Sequence, residues 1–399
     1  MPSLSRGRLC LALALCAVVL FLVVRSGHQV RSYPKPGFAK QYSLSGTGAV
    51  GIGNATLGFE KIFVVNAPWR TDRRDSISLA ASYSGMSLEW IDGVQAEDIR
   101  EKAYPPGNHR QLSDGLKGSW RAHMNALRTI IEQNLSSALI IEDDADWDFR
   151  IRSQLSSISH AVPHIPTLVS QKELQAQQHP PSQERLSQAD LADRSTVPLS
   201  ALSSHKTPHH TPYDLTWDVL WLGHCGATLP LPSSASPNRI LIPNDRTIPL
   251  PKHLKFMRSA PLDAMATLYP PHSRLVHRTN STLCTIAYAV TQPGARKLLY
   301  EFGIRDFSKG YDMALSDYCS GKARAQMEDE APVPMCVVVQ PPVFAHWFDG
   351  GNGRSDISAV GASGKPEEGS RYIRWSVRAN LEGLVKGEAG LVEQWRDEE

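Results

Sequence analysis

Residues 138–148 read ALIIEDDADWD, a short apolar run that is followed at once by a cluster of carboxylates. A run of this kind, rich in β-branched residues, is typical of a strand that is buried on both faces of a sheet. Four of the five positions 142–146 carry carboxylates, namely Glu142, Asp143, Asp144 and Asp146. Like charges this close repel one another unless a cation or water screens them, and open α/β sheets bind ligands at the carboxyl ends of strands. We therefore predict a divalent-cation site here, with a solvated acidic turn as the alternative.

Strand-like and helix-like segments alternate on both sides of this run. Residues 61–65 (KIFVV) have the same apolar character, and a short helix and a second strand follow at about 76–83 and 87–94. An amphipathic helix is predicted after Gly118 by the helical spacing of Met124, Leu127, Ile130 and Ile131. Further strands are predicted at 217–223, 284–291 and 335–340, and a further helix at 294–299. This alternation predicts an α/β fold in which a mostly parallel sheet is flanked by helices.

The amino-terminal region has the features of a membrane anchor. Residues 9–24 contain no charged side chain, and arginines flank them on both sides. Such a stretch falls short of the roughly 20 residues that span a typical bilayer, but it suits the thinner membranes of the early secretory pathway. We predict a cytosolic tail at 1–8, a single-pass type II anchor at 9–24 and a stem rich in Gly, Ser and Pro at 25–58. The rest of the chain would then be lumenal, in the Golgi or the ER; a cleaved signal peptide is the alternative.

The overall composition is that of a globular protein without a strong net charge. Of the 399 residues, 41% are hydrophobic, and 42 Lys and Arg face 40 Asp and Glu, which leaves a formal charge of +2. Because no basic excess is present, we predict no nucleic-acid partner. Four cysteines follow the predicted anchor, and this even number permits two disulfides in any of three pairings. They are Cys225, Cys284, Cys319 and Cys336.

Two segments depart from the alternating pattern. Residues 151–213 are predicted to be a disordered insert, because 31 of these 63 positions are Ser, Pro, Gln or His. Residues 361–399 are predicted to form a helical tail without obvious chemistry. The main domain is therefore expected at 59–360.

A second cluster of charged residues follows the first predicted strand. The loop at 66–74, NAPWRTDRR, contains three arginines within five residues, and such a cluster could surround a phosphate group. Trp69 could stack on a base. Arginines at the start of a helix can instead be solvated or paired with carboxylates. An anion-binding loop and a divalent-cation site on adjacent strand ends would together bind a nucleoside diphosphate.

At this point the chain resembles glycosyltransferase family 25, the lipopolysaccharide-type enzymes that include the collagen galactosyltransferases. The matching pieces cover roughly residues 60–358 apart from two irregular regions, and they occur in the order of the family. They are KIFVVNAPWRTDRR, GLKGSWRAHMNALR, ALIIEDDADW, WDVLWLG, TIAYAVTQPGARKLL, YDMAL, VVVQPPVFAHWF and RSDI. One departure lies at 118–123, GSWRAH, where the family commonly has a Cys-x-x-Ser-His run.

The resemblance implies a GT-A fold, a nucleotide-sugar donor and transfer with inversion at the anomeric carbon. The acidic motif of the family maps onto residues 142–144, so the resemblance implies Asp144 as the first metal ligand, with Glu142 and Asp146 as additional ones. Donor contacts carry over to the amino-terminal part of the domain. The implied donor-binding residues are Asn66, Arg70, Arg74, His123 and Asp143.

Two further residues complete the predicted site. His346 follows a predicted strand and could be another metal ligand, because imidazole suits Mn²⁺ better than Mg²⁺; the alternative is a partly buried histidine packed beside Trp347. Asp312 could be the general base that takes the proton of the acceptor hydroxyl. Asp317 lies nearby in the sequence, and either aspartate could instead cap a helix.

The predicted function follows from these residues together with the resemblance. We predict a glycosyltransferase that uses Mn²⁺ (or Mg²⁺) to transfer a sugar from a UDP-sugar, with galactose as the first expectation. The acceptor would be a hydroxyl on a glycan or glycoprotein of the secretory pathway. The alternative is a non-catalytic lumenal protein that keeps the GT-A fold and binds a glycan or a protein partner.

Overall fold

The apolar run at 138–141 lies in a fully buried strand near the middle of a large sheet, as its sequence predicts. A computed structural model describes residues 51–169, 188–203, 211–230, 237–322, 334–350 and 368–398. The predicted tail at 1–8, the anchor at 9–24 and most of the stem lie outside these residues. In the described ranges, no helix combines the length and the apolar character needed to cross a bilayer.

Twelve strands form the main sheet, and two more form a small separate one. The strands are β1 (Lys61–Asn66), β2 (Glu89–Asp92), β3 (Ser137–Glu142), β4 (Ala145–Trp147), β5 (Thr196–Pro198), β6 (Val219–Gly223), β7 (Gly226–Thr228), β8 (Arg239–Ile242), β9 (Arg274–Arg278), β10 (Ser281–Leu283), β11 (Ala287–Thr291), β12 (Cys336–Gln340), β13 (Phe344–Asp349) and β14 (Glu368–Ser370). The order in the main sheet is β2-β1-β3-β11-β6-β12-β9-β8-β5. β13 joins it through β6 and β4 and also pairs with β14, whereas β7 pairs only with β10.

The prediction of a mostly parallel sheet was wrong. β1 runs parallel to β2 and β3, but β11 lies antiparallel between β3 and β6, and β9 is antiparallel to both of its neighbours. The sheet is therefore mixed. A strand covered on both faces is apolar throughout whichever way it runs, so its residues do not encode its direction.

Helices cover both faces of this sheet, so the chain has a mixed α/β fold of the kind expected for a GT-A domain. They are α1 (Thr71–Ser84), α2 (Asp114–Glu132), α3 (Ile151–Ala161), α4 (Gln188–Arg194), α5 (Met265–Leu268), α6 (Gln292–Tyr300), α7 (Tyr311–Ser320) and α8 (Leu381–Lys386), and a π-helical turn (Glu301–Arg305) extends α6. Met124, Leu127 and Ile130 of α2 are fully buried against one face. The predicted amphipathic helix is thereby confirmed.

The segment predicted as a disordered insert is ordered over much of its length, so that prediction was wrong for 151–169 and 188–203. Its average composition conceals three apolar residues at helical spacing in α3. Ile151, Leu155 and Ile158 are fully buried in the core beneath the sheet. Residues 170–187 and 204–210 lie outside the described residues.

Both ends of the described chain pack against the domain. Ile52 and Leu57, which were assigned to the stem, are buried, and the Tyr213 hydroxyl donates to the Leu57 carbonyl at 2.8 Å. Residues 368–398 were expected to form a separate helical tail, but they contribute β14 to the sheet and only the short helix α8. The carboxyl-terminal segment is therefore part of the domain.

The four cysteines that follow the predicted anchor form the disulfides Cys225–Cys284 and Cys319–Cys336, one of the three pairings that the sequence permits. The Cys225–Cys284 disulfide joins the loop after β6 to the loop between β10 and β11.

One glycine fixes the approach of α2 to the edge of the sheet. A Cβ atom on Gly118 would lie 2.4 Å from the Val94 carbonyl oxygen, which is backbone and cannot rotate away. This close approach brings the first turns of α2 over the ends of β1 and β2. Gly118 therefore has a packing role.

We expect Gly118→Ala to lower the free energy of unfolding by about 1–3 kcal/mol, because the new methyl group must push α2 away from Val94. Urea denaturation of the full chain measures this difference. Ser119→Ala, at the next position of the same helix, is the control and should leave stability within about 0.5 kcal/mol. Equal stability of the two variants would contradict the packing role of Gly118.

Candidate functional site

A cleft of about 540 Å³ opens at the carboxyl ends of β1 and β3. Val65 of β1 is the register partner of Glu142 of β3, so the loops after the two strands lie side by side. Antiparallel pairing of β13 with β4 places His346 opposite Ala145, next to the same acidic turn. The topology therefore brings together three segments that the sequence predicted to belong to one site.

Arg73 lies between the two central carboxylates of the acidic turn. Its Nη1 donates to Oδ1 of Asp143 at 2.8 Å and to Oδ2 of Asp144 at 2.9 Å. All three side chains are mostly buried. The guanidinium group of Arg73 therefore offsets the repulsion between the two carboxylates.

Asn66 supports the same turn from the end of β1. Its Nδ2 donates to Oδ2 of Asp143 at 2.8 Å, and the residue is almost completely buried. The side-chain oxygen of Asn66 is also buried and accepts no hydrogen bond from the part of the chain that is described. Asn66 and Asp143 were both predicted as donor-binding residues, and the structure places them in direct contact.

Arg378, from the carboxyl-terminal segment, holds the backbone of the turn from its buried side. Its guanidinium donates to the carbonyl oxygens of Asp143 at 2.6 Å and Ala145 at 2.8 Å, and to Ser76 Oγ at 3.1 Å. Sequence reasoning missed this residue, because the segment 361–399 showed no pattern that pointed to the site. The turn is thus held between two arginines on different sides.

Asp146 is turned away from the cleft, so the structure does not support the prediction that it binds metal. One carboxylate oxygen accepts hydrogen bonds from Ser370 and, at 2.6 Å, from Ser376 Oγ, and the other accepts from the Arg378 backbone N–H at 3.2 Å. Burial raises the pKa of Asp146, although these three donors act in the opposite direction. Asp146 ties the carboxyl-terminal segment to the domain instead.

The two carboxylates beside Arg73 have opposite pKa shifts. Burial and the neighbouring charge of Asp144 raise the pKa of Asp143 above its usual value. Burial also acts to raise the pKa of Asp144, but attraction to His346, Arg73 and Arg378 outweighs it and holds that pKa below its usual value. Asp144 is therefore the carboxylate that is ionised most readily.

Asp144 and His346 have the donor atoms that a divalent cation needs. Oδ1 of Asp144 is buried, accepts no hydrogen bond within the described residues and lies 3.3 Å from Nδ1 of His346. A carboxylate oxygen and an imidazole nitrogen suit Mn²⁺. However, within the described residues no three His, Cys, Asp or Glu side chains are arranged as a metal site, and Arg73 is bound to Asp144. Arg73 leaves Oδ1 of Asp144 open, but a cation that also used Asp143 would compete with Arg73 for Oδ1 of that residue.

Glu142 points to a different group of residues from that of Asp143 and Asp144. Its Oε1 accepts a hydrogen bond from Thr285 Oγ1 at 2.7 Å and lies 3.6 Å from Nε2 of His123. His123 in turn contacts the Tyr288 hydroxyl at 3.0 Å and stacks on Tyr311. Glu142 and His123 both line the cleft, but Glu142 does not join the carboxylates that were predicted to share its metal.

Asp312 lines the cleft near this second group, in the first turn of α7. Burial raises the pKa of its carboxyl, and the nearby charge of Glu142 acts in the same direction. Asp317, the competing aspartate, accepts from Lys309 Nζ at 2.6 Å and is not among the residues that line the cleft. Of the two, Asp312 is therefore the one placed to meet a substrate.

Arg70 and Arg74 are not among the residues that line the cleft, and their role in donor binding stays a prediction. Arg70 donates twice to Asp72 in its own loop. Arg74 stacks on Trp90, with the guanidinium carbon 4.1 Å from the ring centre, and lies 3.6 Å from Asp92. The helix begins at Thr71, and neighbouring helical residues point about 100° apart. Arg73 is the arginine of this loop that contacts Asp143 and Asp144.

Trp69 lies at the mouth of the cleft and is half exposed. That Trp69 stacks on a base stays a prediction.

The family model of glycosyltransferase family 25 (LPS biosynthesis protein) matches residues 59–228, the part of the chain that contains β1, α2 and the acidic turn. The resemblance to this family is thereby confirmed over that region. Procollagen galactosyltransferase 1 of Danio rerio is 26% identical over 118 residues, and procollagen galactosyltransferase 2 of Mus musculus is 25% identical over 118 residues. The inactive glycosyltransferase 25 family member 3 of Homo sapiens is 24% identical over 119 residues.

These alignments are partial on both sides. Each covers 27% of this chain, and the chain spans about a fifth of the length of each of these curated relatives. The family model, which spans residues 59–228, includes the acidic turn and the loop of Arg73.

We expect Arg378→Met to lower the free energy of unfolding by about 3–5 kcal/mol, because it removes one member of a buried ionic network beside Asp143 and Asp146. Chemical denaturation of the full chain tests this value. Lys386→Met is the control, since its pair with Glu382 is exposed. Should Arg378→Met unfold at the same denaturant concentration as the control variant, Arg378 would not hold the turn.

Proposed function

We propose that this protein is a divalent-cation-dependent glycosyltransferase that moves a sugar from a UDP-sugar to an acceptor hydroxyl with inversion. The observation that carries the proposal is the convergence of Arg73, Asp144 and His346 at one end of a cleft that also contains Asp312. Galactose is the first donor sugar to test, because two of the similar proteins are named galactosyltransferases. The acceptor would be a glycan or glycoprotein.

The nucleotide would bind at the end of the cleft formed by β1, β2 and α2. Trp69 offers an aromatic face there, and Gly93 and Gly118 line the same region without side chains that would obstruct a ligand. Arg73 is the positive side chain of the β1 loop that reaches this part of the cleft. These features support a flat base near Trp69 and a diphosphate near Arg73.

Asp144 and His346 would hold Mn²⁺ or Mg²⁺, with Asp143 as a further oxygen donor. When bound, such a cation offsets the charge that develops on the departing diphosphate. Glu142 is not included, because its carboxylate contacts Thr285 and His123. Asp146 is not included either, because its oxygens are bonded to the carboxyl-terminal segment.

Asp312 would accept the proton of the acceptor hydroxyl as the acceptor oxygen bonds to the anomeric carbon. The bond from that carbon to the diphosphate breaks in the same step, and its electron pair leaves with the diphosphate. Burial raises the pKa of Asp312, which makes its carboxylate a better proton acceptor than an exposed aspartate. Glu142 and His123, on the same part of the cleft, would orient the reacting groups.

We place the enzyme in the Golgi or the ER, attached through the apolar residues 9–24. Two disulfides in the domain agree with an oxidising compartment. The second candidate function is a non-catalytic protein that binds a glycan or a partner. Two observations favour it: Arg73 forms ion pairs with Asp143 and Asp144, and one similar protein is named inactive.

The proposed metal site is tested by Asp144→Ala in the full-length protein. We expect release of sugar from UDP-galactose to require Mn²⁺ or Mg²⁺, to stop with a chelator and to fall at least about 100-fold in the variant, as is typical when preorganised charge stabilisation is removed. Asp92→Ala, at the end of β2, is the control. Turnover that Asp144→Ala leaves unchanged would exclude this carboxylate as a ligand, and no turnover of any UDP-sugar would favour the binding protein.

The proposed base is tested by Asp312→Asn, with Asp317→Asn on the same helix as the control. We expect kcat to fall by about 10²–10⁴-fold in the first variant and to stay the same in the second. In the wild type, kcat/KM should fall as the pH drops through the pKa of Asp312, because its protonated form cannot accept a proton. That fall should lie above the pH range of an exposed aspartate. An unchanged acid limb in Asp312→Asn would assign the base elsewhere.

A further inference from the structure

Arg73 supplies the positive charge that the acidic turn requires. Arg73 donates to Asp143 and Asp144 at 2.8 and 2.9 Å, and its side chain is only 13% exposed. A divalent cation that used Asp143 together with Asp144 would compete with this guanidinium group for Oδ1 of Asp143, because Asn66 already bonds to Oδ2 of that carboxylate. Arg73 and a bound cation are therefore alternatives.

Arg73 is also the side chain of the cleft that is best suited to bind an anion. Among the described residues that line the cleft, it is the only arginine or lysine. The acidic side chains on the same lining are those of Asp114, Glu142, Asp143, Asp144 and Asp312. These carboxylates would repel a diphosphate in the cleft unless Arg73 turned toward it or a cation accompanied it.

The turn can keep its shape when Arg73 leaves. Arg378 donates to the backbone carbonyls of Asp143 and Ala145, and these bonds do not involve the carboxylates that Arg73 contacts. Asn66 donates to the other oxygen of Asp143. The backbone of the turn and the side chain of Asp143 are thus held by groups other than Arg73.

We propose that Arg73 is an exchanging residue of this site. In the resting protein it neutralises Asp143 and Asp144; when a divalent cation takes its place, it turns to the donor diphosphate and binds it through its fork of N–H donors. Nucleotide and cation would then each promote binding of the other. A bound cation frees Arg73 to bind the diphosphate, and a bound diphosphate draws Arg73 away from the carboxylates that the cation needs. This inference rests on the proposed UDP-sugar and cation site and names the residue that couples the two.

The test is a titration of the full-length protein with Mn²⁺, followed by electron paramagnetic resonance, with and without UDP. Arg73→Gln removes the competing charge, and Arg74→Gln, at the next position of the same helix, is the matched control because Arg74 stacks on Trp90 instead. We expect Arg73→Gln to bind Mn²⁺ alone about tenfold more tightly than the wild type, and UDP to tighten Mn²⁺ binding less than it does in the wild type. Arg74→Gln should match the wild type on both counts.

Folding of each variant is checked by the change in melting temperature on adding Mn²⁺, since a ligand of the native state raises apparent stability. Mn²⁺ should raise the melting temperature of Arg73→Gln more than that of the wild type. Equal or weaker Mn²⁺ binding by a folded Arg73→Gln protein would overturn the exchange, as would an unchanged effect of UDP.

The outcomes separate this inference from the proposed function. If the Mn²⁺ titrations behave as expected but no UDP-sugar is turned over, the exchange is supported and the proposed transfer fails. If sugar transfer proceeds while neither protein binds Mn²⁺ in the presence or absence of UDP, the exchange and the cation are overturned and the transferase remains.

Discussion

The site depends on the repulsion between adjacent carboxylates at the end of β3 and on the two arginines that offset it. Asp143 and Asp144 are both largely buried, a position that two like charges can hold only with positive partners. Arg73 meets their side chains from the cleft, and Arg378 meets the backbone of the turn from the core. In the proposed exchange a ligand replaces the first arginine, whereas the second belongs to the packing of the domain.

Contacts with the acidic turn explain why the carboxyl-terminal segment is part of the domain. Ser370, Ser376 and Arg378 all bond to Asp146, so the residue that ends the acidic run anchors a segment more than 220 positions later in the chain. Glu142, at the other end of the run, faces Thr285 and His123. Four carboxylates that look alike in the sequence therefore have three different environments in the fold.

Several features could be predicted from the sequence because a local pattern determines them. The apolar run of β3 and the amphipathic α2 follow from burial on two faces and on one face, and the acidic turn follows β3 directly. The direction of β11 could not be predicted, since an all-apolar strand looks the same both ways. The choice of Arg73 over Arg70 and Arg74 depends on the residue at which α1 begins, and the partners of Asp146 are too distant in the chain to be found by any local pattern.

The account is tested most directly by a crystal structure of the protein with UDP and Mn²⁺. It predicts Mn²⁺ bonded to Asp144 and His346, the diphosphate within hydrogen-bond distance of the Arg73 guanidinium, and Arg378 still bonded to the carbonyls of Asp143 and Ala145. A structure with UDP and Mn²⁺ in the cleft but with Arg73 still bonded to both Asp143 and Asp144 would contradict it.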